Sequence, residues 1–402
     1  MLRNISDVRG FKCWGAHMGI KSKRRDLALI WSETPANAAS VFTQNQVVAE
    51  PVKLSREHIK GGICQAIIIN SGNANAITGK QGWKGAVAMA EKTAELLNIP
   101  KETVLVGSTG LIGEPFPTEK VLEGIEECVQ KLSNRMIAGS LAANAILTTD
   151  TFAKEGFTSF KVGEKNINMA GIAKGSGMIH PNMGTMLAYI CCDAAIAQPL
   201  LDKALRRAVN KTFNMITIDG DTSTNDMVSI LCNGMAENEE ITDENSEEYA
   251  LFYDELEELC RHLAKLIVSD GEGSTKIVEY RVEHAATLEE ARTMVHTVMN
   301  SNLVKTAIFG TDPNWGRILM AAGNSGVDFD PDKLDLYIGT NRSIKILEQG
   351  QPISQDRSEL KKEMQSSNIT IVIDLHGGKE SAVGWGCDLS YEYVRINAEY
   401  TT

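Results

Sequence analysis

The chain has no surplus of positive charge. Its 40 Lys and Arg stand against 52 Asp and Glu, a formal net charge of −12. Nothing in that balance attracts a polyanion, so nucleic acid is excluded as a partner. No apolar run approaches the ~18–20 residues that a membrane span needs, so no membrane partner is expected. The opening "MLRNISDVRGFKCWG" lacks both the apolar core of a secretory signal and the acid-poor, Arg- and Ser-rich character of a transit peptide, so the expected location is the cytoplasm. Eight cysteines are present (13, 64, 128, 191, 192, 232, 260 and 387), but no C-x-x-C and no Cys/His cluster. They read as reduced thiols filling a core, with Cys191 and Cys192 on opposite faces of a strand. No H-E-x-x-H occurs, so neither a metal nor a bound cofactor is expected. G-x-G-x-x-G, the P-loop and G-x-S-x-G are also missing, which excludes dinucleotide, P-loop and nucleophile-elbow sites. There is no low-complexity linker and no short internal repeat.

A mixture of helices and strands is present. At 402 residues and 43% hydrophobic, the chain can fill two or three abutting domains. "QAIIIN" (65–70) reads as a buried strand, "GWKGAVAMAEKTAELLN" (82–98) as an amphipathic helix, and "ETVLVGSTGLIG" as a strand breaking into a glycine loop. Thr118 is placed to cap the helix "EKVLEGIEECVQKL", and Thr287 to cap "LEEARTMVHTVM". Two strands fit within 157–173. Further strands fit "DMVSILCNG", "KIVEYRVEH", "KLDLYIG", "SIKIL", "ITIVIDL" and "SAVGWGCDL", and a long helix fits "EEYALFYDELEELCRHLAKLIVSD". Nearly equal helix and strand, with strands in succession near the end, indicates a layered α+β fold rather than a wound parallel sheet.

The stretch "KGSGMIHPNMGTMLAYICCD" (174–193) sets Thr185 after Gly184, at the head of an apolar strand. A threonine becomes an activated nucleophile when its own α-amine is free to act as base, because that amine has a pKa of roughly 7.7–8.0. In mid-chain this requires cutting the Gly184–Thr185 bond. The Thr185 hydroxyl can do so by attacking the preceding carbonyl, and glycine leaves that carbonyl uncrowded. Gly-Thr at a strand start is also ordinary, so this stretch alone decides nothing.

Several motifs in one order go further. These are "NSGNANAITGKQG" (70–82), "GSTGLIG" (107–113), "ILTTDT" (146–151), "KGSGMIHPNMGTMLA" (174–188), "ITIDGDTSTND" (216–226), "SDGEGSTK" (269–276), "VKTAIFGTDPNWGRILMAAG" (304–323) and "GWGCDLSYEYVRINAEYTT" (384–402). With them the chain closely resembles, almost end to end, the ornithine acetyltransferases of arginine biosynthesis, which are self-cleaving glutamate N-acetyltransferases. It departs from the family pattern at Gly184, where alanine is usual, and at "ASVFT" (39–43), where the family reads "AGVFT". Gly184 bears on the rate of self-cleavage.

The resemblance implies a layered αββα sandwich, shared with self-cleaving aminopeptidases. It implies cleavage into chains 1–184 and 185–402, assembled as two α and two β chains. It makes Thr185 the self-cleavage nucleophile and the residue acetylated in turnover, and Thr109 and Gly110 the oxyanion hole. Thr148, Lys174, Thr185, Glu272, Asn397 and Thr402 become the substrate-binding residues. The implied substrates are N-acetylornithine and glutamate, with acetyl-CoA open as a further acetyl donor. Lys174 suits a ligand carboxylate and Glu272 an ammonium, and the reverse assignment is also open. Asp219, Asp221 and Asp226 fail the calcium-loop order and read as loop-shaping, and Asp312, Asn314, Trp315 and Arg317 form a polar knot that is either structural, the favoured reading, or a border of the site. Two rival functions are an aminopeptidase of the same fold and a non-catalytic metabolite-binding scaffold.

Overall fold

In a computed structural model that describes residues 3–180, 186–341, 344–354 and 356–399, the chain divides into two units. One spans Met1–Asn214 with Asp221–Ile267, and the other Met215–Gly220 with Val268–Thr401.

The first unit runs β1 (Phe11–Ala16), β2 (Leu27–Phe42), α1 (Glu50–His58), β3 (Ile63–Asn73), α2 (Gly79–Leu97), β4 (Val104–Leu111), α3 (Thr118–Lys131), α4 (Met136–Ala145), β5 (Lys154–Val162), β6 (Lys165–Lys174), β7 (Leu187–Cys192), α5 (Gln198–Lys211), β8 (Met227–Cys232) and α6 (Glu247–Ser269). Among the described residues its strands are ordered β4-β3-β2-β8-β7-β6-β5, with β1 also paired to β2. The long β2 serves two partners in turn. Leu27–Trp31 pairs with β3, a register shift follows between Trp31 and Ala36, and Asn37–Phe42 pairs with β8. The sheet thereby forms two layers that share one core. Ala28, Ile30, Ile67, Ile69 and Leu105 enter it from one layer, and Ala170, Ile172, Tyr189, Cys191 and Leu231 from the other. Tyr189 spans the gap so closely that a Cβ on Gly107 would lie 2.2 Å from its hydroxyl.

Strand alternation sends the remaining side chains outward. Leu27, Leu29, Ala66, Ile68, Val104 and Val106 pack with Met89 of α2 and with Val121 and Ile125 of α3. On the other outer face, Leu259 and Leu263 of α6 press on Gly156 and Gly171, where an added Cβ would meet them at 2.5 and 2.9 Å. The expected αββα layering is therefore the fold of this unit. Burying each such Leu or Ile side chain is worth about 1.5–3 kcal/mol.

The second unit contains β9 (Ile277–Ala285), α7 (Leu288–Met299), α8 (Asn302–Phe309), α9 (Trp315–Gly323), β10 (Asp335–Gly339), β11 (Ile344–Glu348), β12 (Gln351–Pro352), α10 (Arg357–Glu363), β13 (Asn368–Asp374), β14 (Glu380–Cys387) and α11 (Tyr391–Ala398). Its sheet is ordered β12-β11-β10-β13-β9-β14. Thr287 caps α7 in a reciprocal box with Glu290, as the sequence indicates. Thr118 does not cap α3. Pro117 takes that position and Thr118 enters the helix, its hydroxyl turned toward Gly85 of α2. All eight cysteines are buried and free. Arg317 of the "DPNWGR" knot donates to the carbonyl oxygen of Leu303 at 2.9 Å, tying α9 to α8. Among the described residues no helix is long and apolar enough to cross a membrane.

Candidate active site

In the first unit, three of the residues singled out from the sequence meet where β4 and β6 end. The strand expected to break at "STG" instead stays paired with β3 through Leu111, with a register shift at Gly72 and Asn73. Gly110 has φ +132°, and a Cβ there would sit 2.3 Å from the carbonyl carbon of Gly72. Only glycine tolerates both the dihedral and the approach. Lys174, the last residue of β6, donates from Nζ to Thr148 Oγ1 at 2.9 Å and to Thr109 Oγ1 at 3.3 Å. One buried ammonium therefore joins three residues that lie far apart in the chain.

Asp150 holds this cluster in place. Its Oδ2 accepts from Thr148 N at 2.8 Å, and its Oδ1 accepts from Gly175 N at 2.7 Å and from Lys154 Nζ at 2.6 Å. Both Asp150 and Lys154 are fully buried. Burial alone would raise the Asp150 pKa, but the ammonium groups of Lys174 and Lys154 outweigh it and hold the carboxyl at about 2. Lys21 donates to the Leu147 carbonyl at 2.8 Å, and burial brings its pKa down to about 8 against the pull of Asp26. The sequence reading assigned no part to Asp150, Lys154 or Lys21. The signal was present but ambiguous: "TTDTFAK" places an acid and a lysine four residues apart in what reads as a polar turn, and only their burial gives the pair its meaning.

The loop before β8 adds a second missed group. Thr222 Oγ1 donates to the His180 carbonyl at 2.8 Å, and Asn225 Nδ2 donates to the carbonyls of Ala74 (2.6 Å) and Ser108 (2.9 Å). These bonds shape the loop together with those that Ser223 makes to Asp226. Asp226 is 2% exposed and its Oδ2 accepts no hydrogen bond. Burial raises its pKa well above the usual carboxylate range, with Ser223 and Lys174 opposing. The parallel pairing of Leu187 with Met227, and the bond from Met227 N to the Met186 carbonyl at 2.9 Å, bring Asp226 beside Met186.

In the second unit, Asn397 of α11 donates from Nδ2 to Glu272 Oε2 at 2.8 Å. Gly273, at φ +68°, lets the Glu272 loop approach α11, where a Cβ would meet Tyr393 N at 2.6 Å. Tyr393 of the same helix donates to Asp219 Oδ2 at 3.2 Å, a loop-shaping contact of the kind expected for that residue. Gly184, Thr185 and Thr402 lie outside the described residues.

The arrangement provides a buried cation beside two threonine hydroxyls and a strained glycine turn, a setting suited to stabilising an oxyanion. The family model for the ArgJ family matches residues 12–402. The arginine biosynthesis bifunctional protein ArgJ of Caldanaerobacter subterraneus subsp. tengcongensis is 51% identical over 395 residues, covering 98% of this chain and 97% of that protein. The protein of the same name from Listeria monocytogenes is 48% identical over 400 residues, covering 99% and 98%. A crystal structure of arginine biosynthesis bifunctional protein ArgJ from Bacillus halodurans aligns with a TM-score of 0.50 at 44% identity, covering 52% of this chain and 96% of that chain. The chain belongs to the ArgJ family, the acyltransferases of arginine biosynthesis.

Proposed function

We propose that this chain cuts itself between Gly184 and Thr185 and then moves an acetyl group from N-acetylornithine to glutamate through an acetyl-Thr185 intermediate. The observation that carries the reading is the Lys174 ammonium bonded to Thr109 and Thr148, at the end of the strand that pairs with β7. In the cut, the Thr185 hydroxyl attacks the Gly184 carbonyl and the C–N bond breaks. The resulting ester is opened by water, leaving a Gly184 carboxylate and a free α-amine. The two pieces stay together because β6 and β7 are hydrogen-bonded neighbours, from Met169 opposite Cys192 to Lys174 opposite Leu187.

In turnover the free amine takes the proton of the Thr185 hydroxyl as the oxygen attacks the acetyl carbon. Thr109 and Gly110 steady the oxyanion, and the proton passes to the departing ornithine amine. Glutamate's amine then takes the acetyl group by the same steps in reverse. This covalent exchange gives ping-pong kinetics. Carried over from the resemblance, Thr148, Lys174, Glu272, Asn397 and Thr402 bind substrate; the Lys174 ammonium suits a ligand carboxylate and the Glu272 carboxylate suits an ammonium, with the reverse assignment also open. The relatives' name, bifunctional, supports acetyl-CoA as a second acetyl donor. The working assembly is two copies of each piece, in the cytoplasm. Thr185→Ala should stay one chain with no transfer. Normal cutting in that variant would overturn the nucleophile assignment.

A further inference from the structure

The end of the second unit's sheet gathers two histidines and two aspartates that acyl transfer does not use. β13 pairs with β9 and with β10 so that Glu283, Asp374 and Asp335 stand side by side, and His284 follows Glu283. The turn after β13 returns His376 to the same place. His284 Nδ1 lies 2.8 Å from Asp374 Oδ1, and His376 Nδ1 lies 3.6 Å from the same oxygen. The two imidazoles stack at 6.0 Å with their planes 9° apart. One ligand atom from each of His284, Asp374 and His376 falls within 4.8 Å of the others.

We propose that His284, Asp374 and His376 form a binding site for a divalent transition-metal ion of the zinc type, which fastens the β13–β14 connection to the end of β9. Tetrahedral zinc, with bonds of about 2.0–2.1 Å, sets neighbouring ligand atoms roughly 3.3 Å apart. The two separations from Asp374 Oδ1, 2.8 and 3.6 Å, lie on either side of that spacing, and the ligand atoms of all three residues fall within 4.8 Å of one another. Two imidazoles and one carboxylate select zinc, cobalt or nickel over magnesium or calcium. The surroundings match a metal site in a further respect. His376 Nε2 lies 3.2 Å from Asp335 Oδ2, so that carboxylate accepts a hydrogen bond from Nε2–H and leaves Nδ1 to face inward as a ligand. Asp335 is itself held by Gln349 N at 2.8 Å and Lys345 Nζ at 3.1 Å. Asp374 is 3% exposed and accepts from His376 N at 3.1 Å, so the third ligand is fixed in position. Sequence spacing conceals the set because His284 and Asp374 are 90 residues apart.

The test is a calorimetric titration of full-length, chelator-stripped enzyme with zinc chloride, repeated with cobalt for its visible absorption, and a thermal melt with and without zinc. One equivalent of zinc should bind per chain and raise the melting temperature. His284→Asn and His376→Asn should each abolish that binding while leaving acetyl transfer at its normal rate; asparagine suits these positions because both histidines have positive φ, +54° and +48°. Asp335→Asn should weaken binding about 10–100-fold. The proposal is overturned if the stripped enzyme takes up no equivalent of zinc, or if both histidine variants bind it as the unaltered chain does.

Discussion

Replacing Asp150 by Asn tests the electrostatic frame of the site. The substitution keeps the shape and one acceptor oxygen, so a bond from Thr148 N or Gly175 N survives. It removes the counter-charge from Lys154, whose side chain is fully buried and bonded to Asp150 at 2.6 Å. Removing one partner of a buried ion pair costs about 3–5 kcal/mol, because the other charge is stranded. The loss should appear in urea unfolding followed by the fluorescence of Trp14, Trp31 and Trp83. Adding Lys154→Met should restore part of it, since the bonded ammonium is then gone and only the longer-range attraction of Asp150 for Lys174 stays lost. The reasoning is refuted if Asp150→Asn costs under about 1 kcal/mol, or if the second substitution adds its own loss to the first.

Acid should act on the same group. The folded carboxyl titrates at about 2, below the ordinary 3.8, so its contribution is present above the ordinary value and is lost as pH falls toward 2. An unfolding series should show that loss in the unaltered chain and not in Asp150→Asn/Lys154→Met. Lys174→Met removes the ammonium shared by Thr109 and Thr148 and should lower kcat/KM for N-acetylornithine by at least about 10²-fold; transfer within a few-fold of normal would discount its role. Gly110→Ala forces a Cβ to within 2.3 Å of Gly72 and should distort the turn, reducing turnover by about 10²–10³-fold in protein that still folds. Burial pushes the Asp226 carboxyl toward its neutral form, and Asp226→Asn puts a neutral group of the same shape in its place. Stability should therefore change by under about 1 kcal/mol, and a larger loss would mean the group is charged in the fold.

The strands with strong apolar runs were legible, including β3, β8, β9, β13 and β14, as was the helix cap at Thr287. β2 was not. Its "LALIWSETPANAASVF" mixes Ala, Asn and Pro, and only its change of partners from β3 to β8 explains the composition. The meeting of Thr109, Thr148 and Lys174 was expected from the resemblance, and the shared Lys174 ammonium gives it a physical cause. Asp150 and Lys154 escaped notice, and Asp226 was read only as loop-shaping, because burial, rather than residue type or spacing, sets the charge environment of each.

The central claim is that the backbone parts between Gly184 and Thr185 to make the working nucleophile. Intact-mass measurement of freshly purified, fully active protein tests it directly, with and without N-acetylornithine. Two chains should appear, 1–184 and 185–402, and the second should gain one acetyl group when the donor is present and glutamate absent. A single full-length mass in protein of full activity would contradict the account.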